Sequence, residues 1–111
     1  MDPLNSLEEP VDPTVHDAGE TKLWRAVVLQ AFVDATEPND LIDTSIAYAR
    51  DQARAWMFSV SSSVRADFEA VCDLAAMDPF AIRAIARRCL ETGKRVHRAT
   101  LTSALRLPED K

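Results

Sequence analysis

The side chains best suited to chemistry in this 111-residue chain are cations gathered toward its C-terminal end: Arg83, Arg87 and Arg88, then Lys94, Arg95 and Arg98. A guanidinium presents a planar fork of donors that matches phosphate oxygens and the acceptor edge of guanine, while a lysine supplies a point charge for the backbone. The chemistry this suggests is recognition of double-stranded DNA, with Arg83, Arg87 and Arg88 at a groove and Lys94, Arg95 and Arg98 on phosphates. The plain alternative is that arginines on a surface helix form only a solvated face.

Catalysis has far less support. The run Ser61-Ser62-Ser63 offers hydroxyls, but no histidine lies near it in sequence, and serines ahead of an amphipathic stretch are better explained as a helix cap and its approach. His97 sits among cations without a carboxylate to orient it, which argues against a general base. No GxSxG, HExxH or glycine-rich phosphate loop occurs. Cys72 and Cys89 fall on apolar stripes, so they are expected as small buried hydrophobes in a reducing compartment rather than as a disulfide. Without a CxxC pair or His/Cys ligand spacing, neither a metal nor a cofactor is expected, and the chain is not expected to be an enzyme.

Two helices must position the first three arginines. Ser63 can cap a helix from Val64 to about Met77, with Asp67 and Glu69 near its positive dipole end. Asp78-Pro79 then makes a fresh start, aspartate as cap and proline at the first helical position, and Gly93 is a C-cap, giving a second helix over 79–92. So short a break implies a steep crossing, the geometry of a helix-turn-helix. On a wheel of roughly 100° per residue, Ile82, Ile85, Ala86, Cys89 and Leu90 share one side. Phe80, Ala84 and Arg87 fall opposite, flanked by Arg83 and Arg88, so Phe80 and Ala84 join the predicted DNA-contacting set.

The rest of the chain supplies a body for that pair. Leu23, Trp24, Val27, Val28, Ala31 and Phe32 recur at helical spacing over 21–35, with Arg25, Gln30 and Asp34 on the wet side. Glu37-Pro38 breaks that helix, and Asn39 or Asp40 can cap the next, which runs to about Phe58. Its inward stripe is Ile42, Ile46, Ala49, Ala53, Trp56 and Met57. Asp43, Arg50, Asp51 and Arg54 are expected in solvent, with a DNA-backbone contact by the arginines as the alternative. Leu101 and Leu105 predict a last short helix packed on the core, or else an arm that clamps phosphate.

The net charge of −5 is unevenly spread: residues 1–78 hold fifteen acidic against five basic side chains, whereas 79–107 hold seven basic against Glu91 alone. An acidic body with a basic end can still be steered toward DNA in one orientation, with modest, salt-sensitive affinity. Residues 1–20, with three prolines, six acidic residues and no Lys or Arg, read as a disordered acidic tail. No secretory leader or membrane-spanning run is present, so a cytoplasmic protein is expected. The prediction is therefore an all-α, four- to five-helix compact domain containing a helix-turn-helix over 21–107, with the acidic N-terminal tail before it and a C-terminal tail at 108–111.

Three blocks carry a resemblance: LWRAVVLQAFVDA, ARAWMFS and DFEAVCDLAAMDPFAIRAIARR. They resemble a family of small regulators from alphaproteobacterial phages, prophages and gene transfer agents. The matching residues include Trp24, Arg25, Ala26, Val27, Gln30 and Ala31 in the first block, and Phe68, Val71, Cys72, Asp78, Pro79 and Arg83 in the last. The resemblance implies the DNA-binding component of a gene-transfer-agent or phage late-gene activator, working with a separate sigma-factor-like protein to help recruit RNA polymerase. One departure bears on the turn. Members of that family commonly place Ala-Gly before the Asp-Pro break, where this chain has Ala75-Ala76; if Ala76 takes positive φ it costs about 1 kcal/mol relative to glycine. The alternatives are a protein-interaction adaptor or inhibitor of phage origin, and a terminase-type DNA-packaging protein; a homodimer is left open.

Overall fold

The Asp and Gly punctuation resolves into five helices in the computed structural model, which describes residues 18–40 and 42–105, and the described chain is all-helical. They are α1 (Ala18–Ala35), α2 (Thr44–Met57), α3 (Ser62–Leu74), α4 (Pro79–Thr92) and α5 (Arg98–Ala104). Residues 18–20, expected in the tail, begin α1 instead; the rest of the acidic N-terminal tail and the C-terminal tail lie outside the described residues.

α4 has the expected bounds for the expected reasons. Asp78 accepts a hydrogen bond from the Phe80 amide at 2.9 Å, Pro79 occupies the first turn, and Gly93 closes the helix at φ 71°, its amide donating to the Cys89 carbonyl. The end of α3 is a Schellman turn: the Met77 amide donates to Cys72 O at 2.9 Å and the Ala76 amide to Asp73 O at 3.0 Å. This arrangement forces the residue between into the left-handed region, and Ala76 sits there at φ 56°. The start of α3 differs from expectation. It begins at Ser62, and Ser61 Oγ pairs with Ser63 Oγ instead of capping an amide. Asp67 and Glu69 do not serve the dipole either; Asp67 accepts from the Trp56 indole at 2.8 Å and Glu69 pairs with Arg83.

α2 also begins later than expected, because Asp43, not Asn39 or Asp40, bonds the Ser45 and Ile46 amides. The bond from the Ser45 hydroxyl, followed by those from the Ile46 and Ser45 amides, lowers the Asp43 carboxyl from its ordinary value. Ile42 consequently lies outside the helix and 96% exposed, not on its inward stripe.

The core is built from Val28 and Phe32 of α1, Ala53 and Met57 of α2, Phe68 and Cys72 of α3, Ile82, Ala86 and Cys89 of α4, and Leu101 of α5. Trp56 meets Phe68 edge-on with ring centroids 4.9 Å apart. Both cysteines are free and buried; burial pushes the Cys72 thiol up to about 12 and raises that of Cys89.

Three arginines expected in solvent or at DNA instead stitch helix ends. Arg25 of α1 donates from Nε and Nη2 to Ala75 O beyond α3, and Arg54 of α2 donates to Ala35 O at the end of α1 and to Glu37 O. Arg83 of α4 donates to Met57 O at the end of α2 at 2.9 Å. Helix C-terminal carbonyls lack intrahelical partners and lie at the negative end of the dipole, so a guanidinium satisfies both hydrogen bonding and charge there. That is why Arg25 can be buried, and why Arg54 is only partly exposed rather than on a solvated face. Arg50 is drawn in as well, bonding Pro38 O at 2.7 Å.

Candidate nucleic-acid interface

The outer face of α4 follows from its inner one. With Ile82, Ala86 and Cys89 buried, the helical repeat turns Phe80, Ala84, Arg87 and Arg88 outward, and all four are exposed, Phe80 by 68%. Neither Arg87 nor Arg88 has an ion pair among the described residues. The Arg87 guanidinium lies 5.3 Å from the centroid of the Phe58 ring, a cation–π contact that orients it while leaving its donors unspent.

Arg83 does not belong to this face. It is 6% exposed, stacks over Phe68 at 4.9 Å, and bonds Met57 O and, from Nη1 at 3.0 Å, Glu69. The expected place at a groove, flanking the outer face, is therefore corrected: Met57 O and Glu69 lie within reach on the inner side, and the aliphatic stem of Arg83 follows the apolar stripe toward them. Its Nη2 is shut from solvent without a hydrogen-bond partner among the described residues.

The basic segment after Gly93 is likewise only partly free. Leu101 is fully buried, so α5 packs on the core and the segment is not a loose arm. Arg95 pairs with Glu37 at 2.8 Å, and Arg98 donates to Gln30 at 3.0 Å on α1. Lys94 is exposed without an ion pair among the described residues. Arg95 is half exposed but its partner Glu37 is only 17% exposed, so Arg95 reaches a phosphate only by giving up this pair.

Two concavities flank these elements. One, of about 240 Å³, lies between the α2–α3 connection and α4, with Arg65, Arg83 and Arg87 in its lining beside Phe58 and Phe80. Arg65 was not among the predicted residues; it joins Arg87 only through the packing of α3 and α4. The other, of about 730 Å³, runs between α1 and α2 and is mostly apolar, with Leu23, Val27, Ala31, Tyr48 and Ala49 in its walls and Arg98 at its edge. Leu23 and Tyr48 are 62% and 67% exposed, so the stripe expected to bury Leu23 leaves it in solvent.

Among the described residues no helix is long and apolar enough to cross a membrane, and no three His, Cys, Asp or Glu side chains converge to hold a metal ion. In comparisons with known protein families, curated proteins and solved structures, nothing matches this chain.

Proposed function

We propose that the protein is a DNA-binding transcriptional regulator that uses α3, the turn at 75–78 and α4 as a helix-turn-helix. The observation that carries this reading is the α4 outer face, where Arg87 and Arg88 stand beside Phe80 and Ala84 without intramolecular ion pairs among the described residues. Capped at both ends, such a helix is rigid enough to present two guanidiniums to base edges in a major groove while Lys94 and Arg95 reach phosphates. The resemblance to phage and gene-transfer-agent regulators supports the finer reading: an activator of phage-like genes that helps recruit RNA polymerase alongside a sigma-factor-like partner. Fluorescence anisotropy with duplexes from the promoters of neighbouring phage-like genes, titrated across salt, tests it. Arg87→Ala should weaken binding by about 1–3 kcal/mol if the residue reads a base; no binding to any such duplex at low salt would overturn the proposal.

A second reading, a protein-interaction adaptor, is favoured by the apolar groove between α1 and α2. Exposed Leu23 and Tyr48 on its walls suit the apolar face of a partner helix. The two readings are compatible, because an activator must hold both DNA and a protein.

A further inference from the structure

We propose that the cleft between the α2–α3 connection and α4 is an oxyanion seat that takes one phosphate group, on DNA a single backbone phosphodiester. Three arginines line it, Arg65, Arg83 and Arg87, and among the described residues the only carboxylate bonded to any of them is Glu69, through one oxygen on Arg83 Nη1. The local balance is therefore strongly positive in a chain whose net charge is −5. Arg83 is immobilised by Met57 O, Glu69 and the Phe68 ring, and its Nη2 has no hydrogen-bond partner among the described residues. Nη2 has no exposed surface, so an oxyanion in the cleft meets Arg83 as a fixed charge beneath its wall and takes up Nη2 only if that side chain shifts.

Two further features agree. α3, which carries Arg65, has no acidic residue in its first turn and no side-chain cap, so its dipole adds to the cations instead of offsetting them. By contrast α2 and α4 each begin on a capping aspartate. A backbone phosphodiester offers two non-bridging oxygens and inorganic phosphate up to four, so either can accept from more than one guanidinium at once. Phe80 and Arg87 belong both to this cleft and to the α4 outer face, so a phosphate held here would lie against the backbone beside whatever groove α4 enters. Only the source of the phosphate rests on the DNA-binding reading; the seat itself does not.

The test uses the full chain and two probes, inorganic phosphate followed by amide chemical shifts and duplex DNA followed by anisotropy across salt. Phosphate should shift the amides of Ser59, Val60 and Arg65, and Arg65→Gln should abolish those shifts while leaving the fold intact, since Arg65 is exposed. On DNA, Arg65→Gln should reduce the slope of log K against log salt by about 1, the loss of one phosphate contact. If no DNA binds but phosphate still shifts the cleft amides in an Arg65-dependent way, the seat stands and the DNA reading falls. If DNA binds with an unchanged slope in Arg65→Gln and phosphate leaves the cleft amides unmoved, the seat is overturned. A tetraglutamate peptide that occupies the cleft more tightly than inorganic phosphate would overturn it too, by showing a carboxylate site.

Discussion

Arg83 and Arg87 stand one helical turn apart on α4, yet they belong to regions with opposite uses for the same side chain. On the inner seam the guanidiniums of Arg25, Arg54 and Arg83 are committed to carbonyls at the ends of other helices. On the outer face Arg87 and Arg88 touch no carboxylate among the described residues, and a single aromatic ring orients Arg87. The difference teaches that a cation's position on a helical wheel does not decide its role. What decides it is whether an unsatisfied acceptor from elsewhere in the fold lies within reach of the side chain.

The sharpest way to break the contrast is to truncate one member of each set. Arg83→Ala strips the acceptors Met57 O and Glu69 of their donor and should cost about 2–3 kcal/mol in urea denaturation. Arg87→Ala should change the same measurement by about 0.5 kcal/mol or less; equal losses would erase the distinction between the two regions. Next in size is the turn that joins them. Ala76→Gly relieves the left-handed backbone at φ 56° and should raise stability by about 0.5–1 kcal/mol, the larger freedom of unfolded glycine offsetting part of the gain. A destabilised variant would show that the turn differs from the one described.

The smallest effect at neutral pH is at Cys72, in the core among the residues that meet Arg83's field. Burial outweighs that field and pushes its thiol up to about 12. Because the folded state raises this pKa, the neutral thiol's contribution is complete below the ordinary range, about 8.5, and is lost as pH rises from there toward about 12. At pH 8 the native protein should therefore react with a thiol reagent only as fast as it opens. Rapid labelling would mean that the wall under Arg83 is not sealed.

Much of α4 was legible from sequence because its signals are local: Asp78, Pro79 and Gly93 mark its ends, whereas the positive φ of Ala76 has no local signal in an alanine pair. The arginine seam was not, since each donor bonds a carbonyl 50, 19 or 26 residues away. Periodicity classes arginine as polar and sends it to solvent, and nothing near Arg25 or Arg83 in the chain announces an acceptor. The same blindness hid Arg65, whose relation to Arg87 exists only once α3 and α4 are packed. Leu23 and Ile46 failed in the other direction: an apolar stripe wider than the core it faces leaves residues outside.

The order in which the clamps run has a consequence for how the molecule comes apart. α4 grips the end of α2, α2 grips the end of α1, α1 grips the end of α3, and the Schellman turn returns the chain from α3 to α4. Such a closed circuit has no loose terminus from which one helix could unravel while its neighbours stay intact, so the amides of α1 to α4 should exchange with deuterium as one cooperative unit. α5 stands outside the circuit and should open on its own, well before the rest.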